Sequence, residues 1–248
     1  MKKTHLIYAT SNPGKIIKIS RHFGVHGIAV ESLTDYTPVK LDPDETGTTL
    51  GENADIKALA YARAIGDLSA GAGLSVPQGG HFCRRFCVIS DDTGIFIDGL
   101  GGETGIKVRR WIGRKMTDEE IISYTLERMR GLKGDARKAT FRTVLSLVVV
   151  DEAGKDEAAP AGKVGKISAR ISEPMHFEGE LRGRIVETAD PHRIEGFPFE
   201  SLFYATEYGM ILGDLHRLPE AEKRKGLFNH RERAIEKAIP VIQGLLKD

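Results

Sequence analysis

Apolar and polar positions along the chain follow two rhythms in turn. Leu6 to Ala9 is a short apolar run bounded by Thr10-Ser11-Asn12-Pro13-Gly14-Lys15, which predicts a strand opening into a polar loop. Ile16, Ile17, Ile19 and Phe23 then recur at helical spacing, with Lys15, Lys18 and Arg21 between them. Gly27 to Leu33 reads as a second short strand, and Asp42, Asp44 and Glu45 as an acidic loop. Leu50, Ala54, Ala58, Leu59, Ala62 and Ile65 form the apolar stripe of a helix from Thr48 to Ile65. Residues 69–85 are Gly-rich and aperiodic and predict a surface insertion. Val88-Ile89-Ser90 then delivers Asp91-Asp92 into a Thr93-Gly94 break, and the short run Ile95-Phe96-Ile97 follows.

The second half continues the alternation. Thr117-Asp118-Glu119-Glu120 is a capping box opening a helix through Ile121, Ile122, Thr125 and Met129 to Gly131. Thr140 to Val150 is β-prone and predicts a central strand. A polar turn at 151–162, strands near 163–171 and 180–188, and a loop over 189–200 come next. Asn229-His230-Arg231 opens a last helix that buries Ile235, Ala238, Ile239, Ile242 and Leu245, with Pro240 set to kink it or shift its start. Helices and strands interleave without a break in composition, so residues 1–248 predict one α/β domain with a mixed sheet.

Composition narrows the function. The 248 residues carry 36 basic and 35 acidic side chains, a net charge of +1. No global field draws the chain to nucleic acid or a membrane surface, so anion binding has to be local. No apolar run approaches the ~20 residues of a membrane span, and the apolar stretch after Met1 is too short for a signal peptide. Cys83 and Cys87 stand four apart with only His81 near, which favours a reduced cytoplasmic pair over a zinc site.

Two stretches carry candidate chemistry. Side chains alternate faces along a strand, so Asp91 and Asp92 cannot both enter one core. An unpaired buried carboxylate costs several kcal/mol, so at least one must meet water, a cation or a donor. The pair reads either as a metal or catalytic site beside a close-approach glycine or as an acidic turn. Thr10, Ser11 and Asn12 offer donors ahead of a helix start, and Lys15 lies in its first turn. That is either a phosphate cradle or a capped helix with a surface lysine. The stretch is not a Walker A loop, and Gly99 to Gly105 fails the dinucleotide fingerprint because Thr104 stands where the third glycine belongs. On their own, Glu52 and Lys57 read as solvated face residues.

Taken together, five segments resemble the inosine/xanthosine triphosphate pyrophosphatase family, the house-cleaning purine nucleotide enzymes. They are Ala9-Thr10-Ser11-Asn12-Pro13-Gly14-Lys15; Glu52-Asn53-Ala54 with Lys57-Ala58; Ser90-Asp91-Asp92-Thr93-Gly94 with Leu100-Gly101-Gly102-Glu103-Thr104-Gly105; Gly196-Phe197-Pro198-Phe199-Glu200; and Glu222-Lys223 with Lys225 and Asn229-His230-Arg231. The resemblance implies an α/β fold with a long central mixed sheet, flanking helices and two lobes around a nucleotide-binding cleft. It also implies a homodimer, a Mg²⁺ requirement, and hydrolysis of ITP, dITP and XTP to monophosphate and pyrophosphate. By the same resemblance Thr10, Ser11, Asn12 and Lys15 hold the triphosphate. Glu52 and Asp92 coordinate Mg²⁺ with Asp91 close by, Asp92 takes the proton of the attacking water, and Lys57 and Lys225 neutralise phosphate oxygens. Thr93 keeps the hydroxyl of the family's serine and faces the substrate. Phe197, Phe199, Glu200, His230 and Arg231 fall at the base. Pro198, Phe199, Glu200 and Ser201 replace the family's Gly, Tyr or Trp, Asp and Pro. These changes leave two alternatives beside the purine reading: the same reaction on a modified or pyrimidine nucleotide, or a nucleotide-binding regulator without turnover.

Overall fold

The computed structural model describes residues 4–10, 13–38, 40–70, 85–152, 169–219 and 226–247. Nine strands form one mixed sheet among these residues. They are β1 (His5–Tyr8), β2 (Val30–Glu31), β3 (Arg85–Ile97), β4 (Thr104–Gly105), β5 (Lys138–Glu152), β6 (Ala169–Ile171), β7 (Met175–Ile185), β8 (Phe203–Ala205) and β9 (Met210–Ile211). The order is β2-β1-β3-β5-β7-β8-β9, with β4 added to β3 and β6 to β5. β1 runs parallel to β2 and β3, while β4, β6, β8 and β9 pair antiparallel. The helices are α1 (Pro13–Val25), α2 (Leu50–Ala70), α3 (Asp118–Arg128), α4 (Leu212–Arg217) and α5 (His230–Lys247).

The chain divides into two compact units. The first comprises Met1–Asp92, Val144–Phe177 and Ile235–Asp248. Its core packs Ile7, Ala9, Phe86 and Val88 of β1 and β3 and Val148 and Val150 of β5 against Ala58, Tyr61, Ala62 and Ile65 of α2. Residues 86–91 of β3 are buried without interruption, as expected of a strand covered on both faces. The second unit comprises Thr93–Thr143 and Glu178–Ala234. Its core gathers Ile95, Ile97, Ile121, Ile122, Phe141, Leu181, Ile185, Phe199 and Phe203.

One boundary differs from the sequence pattern. Instead of breaking at Thr93-Gly94, the backbone stays extended from Arg85 to Ile97. Gly94 permits this by its missing side chain rather than by turning: a Cβ there would lie 2.7 Å from the Gly105 carbonyl oxygen. β4 therefore pairs closely, Ile95 opposite Gly105 and Phe96 opposite Thr104. The predicted capping box is formed, with Glu120 N–H donating to Thr117 Oγ1 at 3.2 Å and Thr117 N–H to Glu120 Oε2 at 2.8 Å. α5 continues through Pro240 to Lys247. β7 begins at Met175, earlier than the pattern placed it. Of the 69–85 insertion and the 163–171 strand, only the flanks at 69–70 and 85 and at 169–171 fall among the described residues; Cys83 and His81 lie outside them.

Candidate active site

In the first unit the two acids of β3 separate as alternation requires. Asp91 is 3% exposed. Its carboxylate accepts a hydrogen bond from the Tyr8 hydroxyl and lies 3.7 Å from Lys15 Nζ in the first turn of α1. Asp92 points the other way, to the face that Ser90 shares and α2 covers, where Ser90 Oγ donates to the Ala54 carbonyl. There Asn53 Nδ2 donates to Asp92 Oδ2 at 3.2 Å and Lys57 Nζ to Asp92 Oδ1 at 3.4 Å. Lys57 also donates to Glu45 Oε1 at 2.7 Å, so one ammonium holds two carboxylates. Burial pushes the Asp92 carboxyl above the usual aspartate range; Lys57 opposes this, and Glu45 and Asp91 add to it. The desolvated charge and its two acidic neighbours are the physical cause.

α2 presents Asn53 and Lys57 one turn apart, on a single face. Asn53 is itself fixed, its Oδ1 accepting from Gly47 N–H at 2.9 Å. Glu52 precedes Asn53 on α2. It is exposed, and its Oε2 accepts from Thr48 N–H at 2.6 Å, from Thr48 Oγ1 at 2.8 Å and from Thr49 N–H at 3.1 Å. These bonds hold its carboxyl below the usual glutamate range, and the side chain caps the start of α2. Glu45, Tyr8 and Asn53 complete the set around Asp91 and Asp92 without having been singled out; Glu45 had been visible only as part of an acidic loop. Thr10 is half-buried at the end of β1, while Ser11, Asn12 and Lys225 lie outside the described residues. The carboxylates of Asp92 and Glu52 offer oxygen donors, which suit a hard cation such as Mg²⁺.

In the second unit a polar chain runs from strand to helix. Thr93 Oγ1 and Thr143 Oγ1 are hydrogen-bonded at 2.7 Å, and Thr143 Oγ1 and His230 Nδ1 at 2.6 Å. Arg231 Nη2 reaches Thr93 Oγ1 at 3.4 Å. Phe141, on the same face of β5 as Thr143, stacks on the His230 ring with centroids 4.6 Å apart and planes 12° from parallel. Gly179 of β7 lets the start of α5 come in close, since a Cβ there would lie 1.9 Å from the His230 carbonyl oxygen. Asn229 caps the helix, its Oδ1 accepting from the backbone N–H groups of Arg231 at 2.9 Å and Glu232 at 3.0 Å.

The 196–201 segment turns inward. Phe197 is half-buried, and Pro198 opens a 3₁₀ turn, Pro198–Ser201. Phe199 is 3% exposed and meets Phe141 edge-on at 6.3 Å, so it serves the core rather than presenting a stacking face. Glu200 is 4% exposed, with His216 Nδ1 2.6 Å from its Oε1. Asn229 Nδ2 stands 2.9 Å from His216 Nε2. An amide nitrogen only donates, so Nε2 accepts and the imidazole proton sits on Nδ1, facing Glu200. Glu200 and His216 thus lie beside Asn229, the cap of the helix that carries His230 and Arg231. Phe199 and Glu200, expected at the base, are both buried in the turn that Pro198 opens.

The chain matches a model of the Ham1 family over residues 6–241. It is 32% identical over 230 residues to the dITP/XTP pyrophosphatase of Thermus thermophilus, covering 93% of this chain and 87% of the relative. It is 29% identical over 230 residues to the dITP/XTP pyrophosphatase of Halalkalibacterium halodurans, covering 93% and 94%. Among solved structures it superposes on the Staphylococcus aureus Ham1 protein with a TM-score of 0.65 at 25% identity, over 97% of this chain and 98% of the other. No helix among the described residues is long and apolar enough to cross a membrane. With the family model matched over nearly the whole chain, the chain belongs to the Ham1 family.

Proposed function

We propose that this protein hydrolyses deaminated purine nucleoside triphosphates, ITP, dITP and XTP, to the nucleoside monophosphate and pyrophosphate in a Mg²⁺-dependent reaction, and so clears them from the nucleotide pool. The observation that carries the reading is Asp92, a half-buried carboxylate with a raised pKa held by Asn53 and Lys57, with Glu45 on the same lysine. The names of the relatives support it. Water adds across the α–β anhydride: its oxygen bonds to phosphorus, the bridging bond breaks, pyrophosphate leaves, and the released proton goes to Asp92. A carboxylate whose pKa is raised is a better proton acceptor than an ordinary aspartate. Lys57 and Lys15 offset phosphate charge, and the α1 start adds backbone donors. By the family resemblance Asp92 and Glu52 would hold Mg²⁺, with Asp91 close by on the opposite face of β3, and the ion would supply charge neutralisation on the phosphate oxygens. Arg231 only donates, so it favours a base with a keto oxygen at C6 over one with an amine.

Homodimerisation and a cytoplasmic location accompany this proposal as expectations of the family resemblance. The test offers the purified protein ITP, dITP, XTP, ATP, GTP and pyrimidine triphosphates with Mg²⁺ and measures pyrophosphate and orthophosphate separately. Pyrophosphate from the deaminated purines, and little from ATP, is the expected result. Orthophosphate alone would rule out the reaction. Tight binding with no turnover would make the protein a nucleotide-responsive regulator instead.

A further inference from the structure

Among the described residues His22, His26 and Glu236 bring three metal-ligating groups together, and none belongs to the sets above. His22 and His26 are four apart on α1, so their imidazoles share one helix face. Glu236 comes from α5. A single carboxylate oxygen, Glu236 Oε1, lies 2.7 Å from His22 Nε2 and 2.9 Å from His26 Nε2. The two rings are 5.9 Å apart, centroid to centroid. His22 is buried, and the other two are half-buried. The same helix pair is joined again by Gln243 Nε2, which donates to the His26 carbonyl at 3.4 Å.

Two imidazole nitrogens and one carboxylate oxygen form a donor set for a divalent transition metal. Hard cations of the Mg²⁺ and Ca²⁺ class take oxygen shells, whereas imidazole suits zinc and its neighbours. We propose that His22, His26 and Glu236 are a binding site for a zinc-class dication, with a fourth position left to water. Zinc–ligand bonds of about 2.0–2.1 Å at tetrahedral angles put ligand atoms about 3.3–3.4 Å apart. The contacts of 2.7 and 2.9 Å therefore open by about half an ångström when the metal enters. That is a small rotation for a glutamate side chain. In the metal-free state each Nε2 carries the hydrogen shared with Glu236. In the bound state each neutral ring keeps its one proton on Nδ1 and turns the Nε2 lone pair to the metal. No oxidation is involved, and the ion ties α1 to α5.

The competing account is a pair of histidines hydrogen-bonded to one carboxylate. Zinc titration of the full chain against a chromophoric chelator, with Mg²⁺ in excess, separates the two. Co²⁺ is added in parallel as a visible-absorption probe. Expected are one tight equivalent of zinc, tetrahedral Co²⁺ bands, and a zinc-dependent rise in Tm. His26→Ala and Glu236→Gln should each weaken zinc binding by about 100-fold or more, because loss of a ligand exceeds the 10–100-fold cost of losing its supporting shell. Both variants should lose the cobalt bands while keeping nucleotide turnover in Mg²⁺. Zinc affinity and cobalt spectrum unchanged in both variants would overturn the proposal. So would a wild-type affinity no tighter than that of the His22→Ala/His26→Ala double variant.

Discussion

At the scale of single residues, the proposed reaction turns on Asp92. Its pKa is raised in the folded chain, chiefly by burial. The unfolded chain releases that proton at lower pH than the folded one does, so folded stability falls as pH rises through the raised value. At neutral pH the buried charge is a net cost, which the amide of Asn does not carry. Asp92→Asn is therefore expected to lower kcat by about 10³-fold or more, on the scale of losing a preorganised charge at the reacting centre, while Tm stays at or above that of the wild type. Paired turnover and thermal-melt measurements check it; near-normal activity would remove Asp92 from the reaction. Arg231 belongs to the same scale. Its Nη2 donates to Thr93 Oγ1 at 3.4 Å. Arg231→Met is expected to cut the ITP-to-ATP ratio of kcat/KM by about 10–100-fold, well inside the up to ~10⁴-fold that a hydrogen-bonding site can supply. An unchanged ratio would place base selection on other residues.

At the scale of elements, the close approach of β7 and α5 at Gly179 positions His230 and Arg231. A Cβ at 179 would fall 1.9 Å from the His230 carbonyl oxygen and 2.6 Å from Ala234 N. Both are backbone atoms, which cannot swing aside as a side-chain tip does. Gly179→Ala is expected to cost about 1–3 kcal/mol, a Tm loss of about 2–4 °C for each kcal/mol, and to raise KM for nucleotide as the helix start moves. Gly24→Ala is the matched control: in α1, with nothing within 4 Å of its added Cβ, it should gain about 0.5–1 kcal/mol from lower unfolded-state entropy. A destabilised Gly24→Ala or a neutral Gly179→Ala would contradict the packing described here. Asn229 adds a smaller term; its side chain satisfies two α5 amides, and Asn229→Ala should cost about 1 kcal/mol.

At the scale of the whole molecule, what the sequence revealed follows from how far apart the partners are. Alternation along one strand was enough to send Asp91 and Asp92 to opposite faces, and helical spacing was enough to put Lys57 one turn from Asn53. Partners brought by strand order were not legible. Tyr8 meets Asp91 across β1 and β3, and Phe141 and Thr143 meet His230 across 87 to 89 positions of chain. Phe199 and Glu200 show the converse, since a motif position did not say which side of a turn faces the core. Binding of the proposed nucleotide is linked to folding. An ITP analogue with a non-hydrolysable α–β bridge, held at 100 times its Kd with Mg²⁺, should stabilise the fold by about 2.7 kcal/mol, or about 5–11 °C in Tm. The matching ATP analogue at the same concentration should shift Tm less, because its amine faces a guanidinium that can only donate. Omitting Mg²⁺ should shrink the ITP shift, since Asp92 and Glu52 then repel the phosphates without a counter-ion. Equal shifts for both analogues would confine discrimination to the chemical step, and a shift indifferent to Mg²⁺ would separate the metal from nucleotide binding.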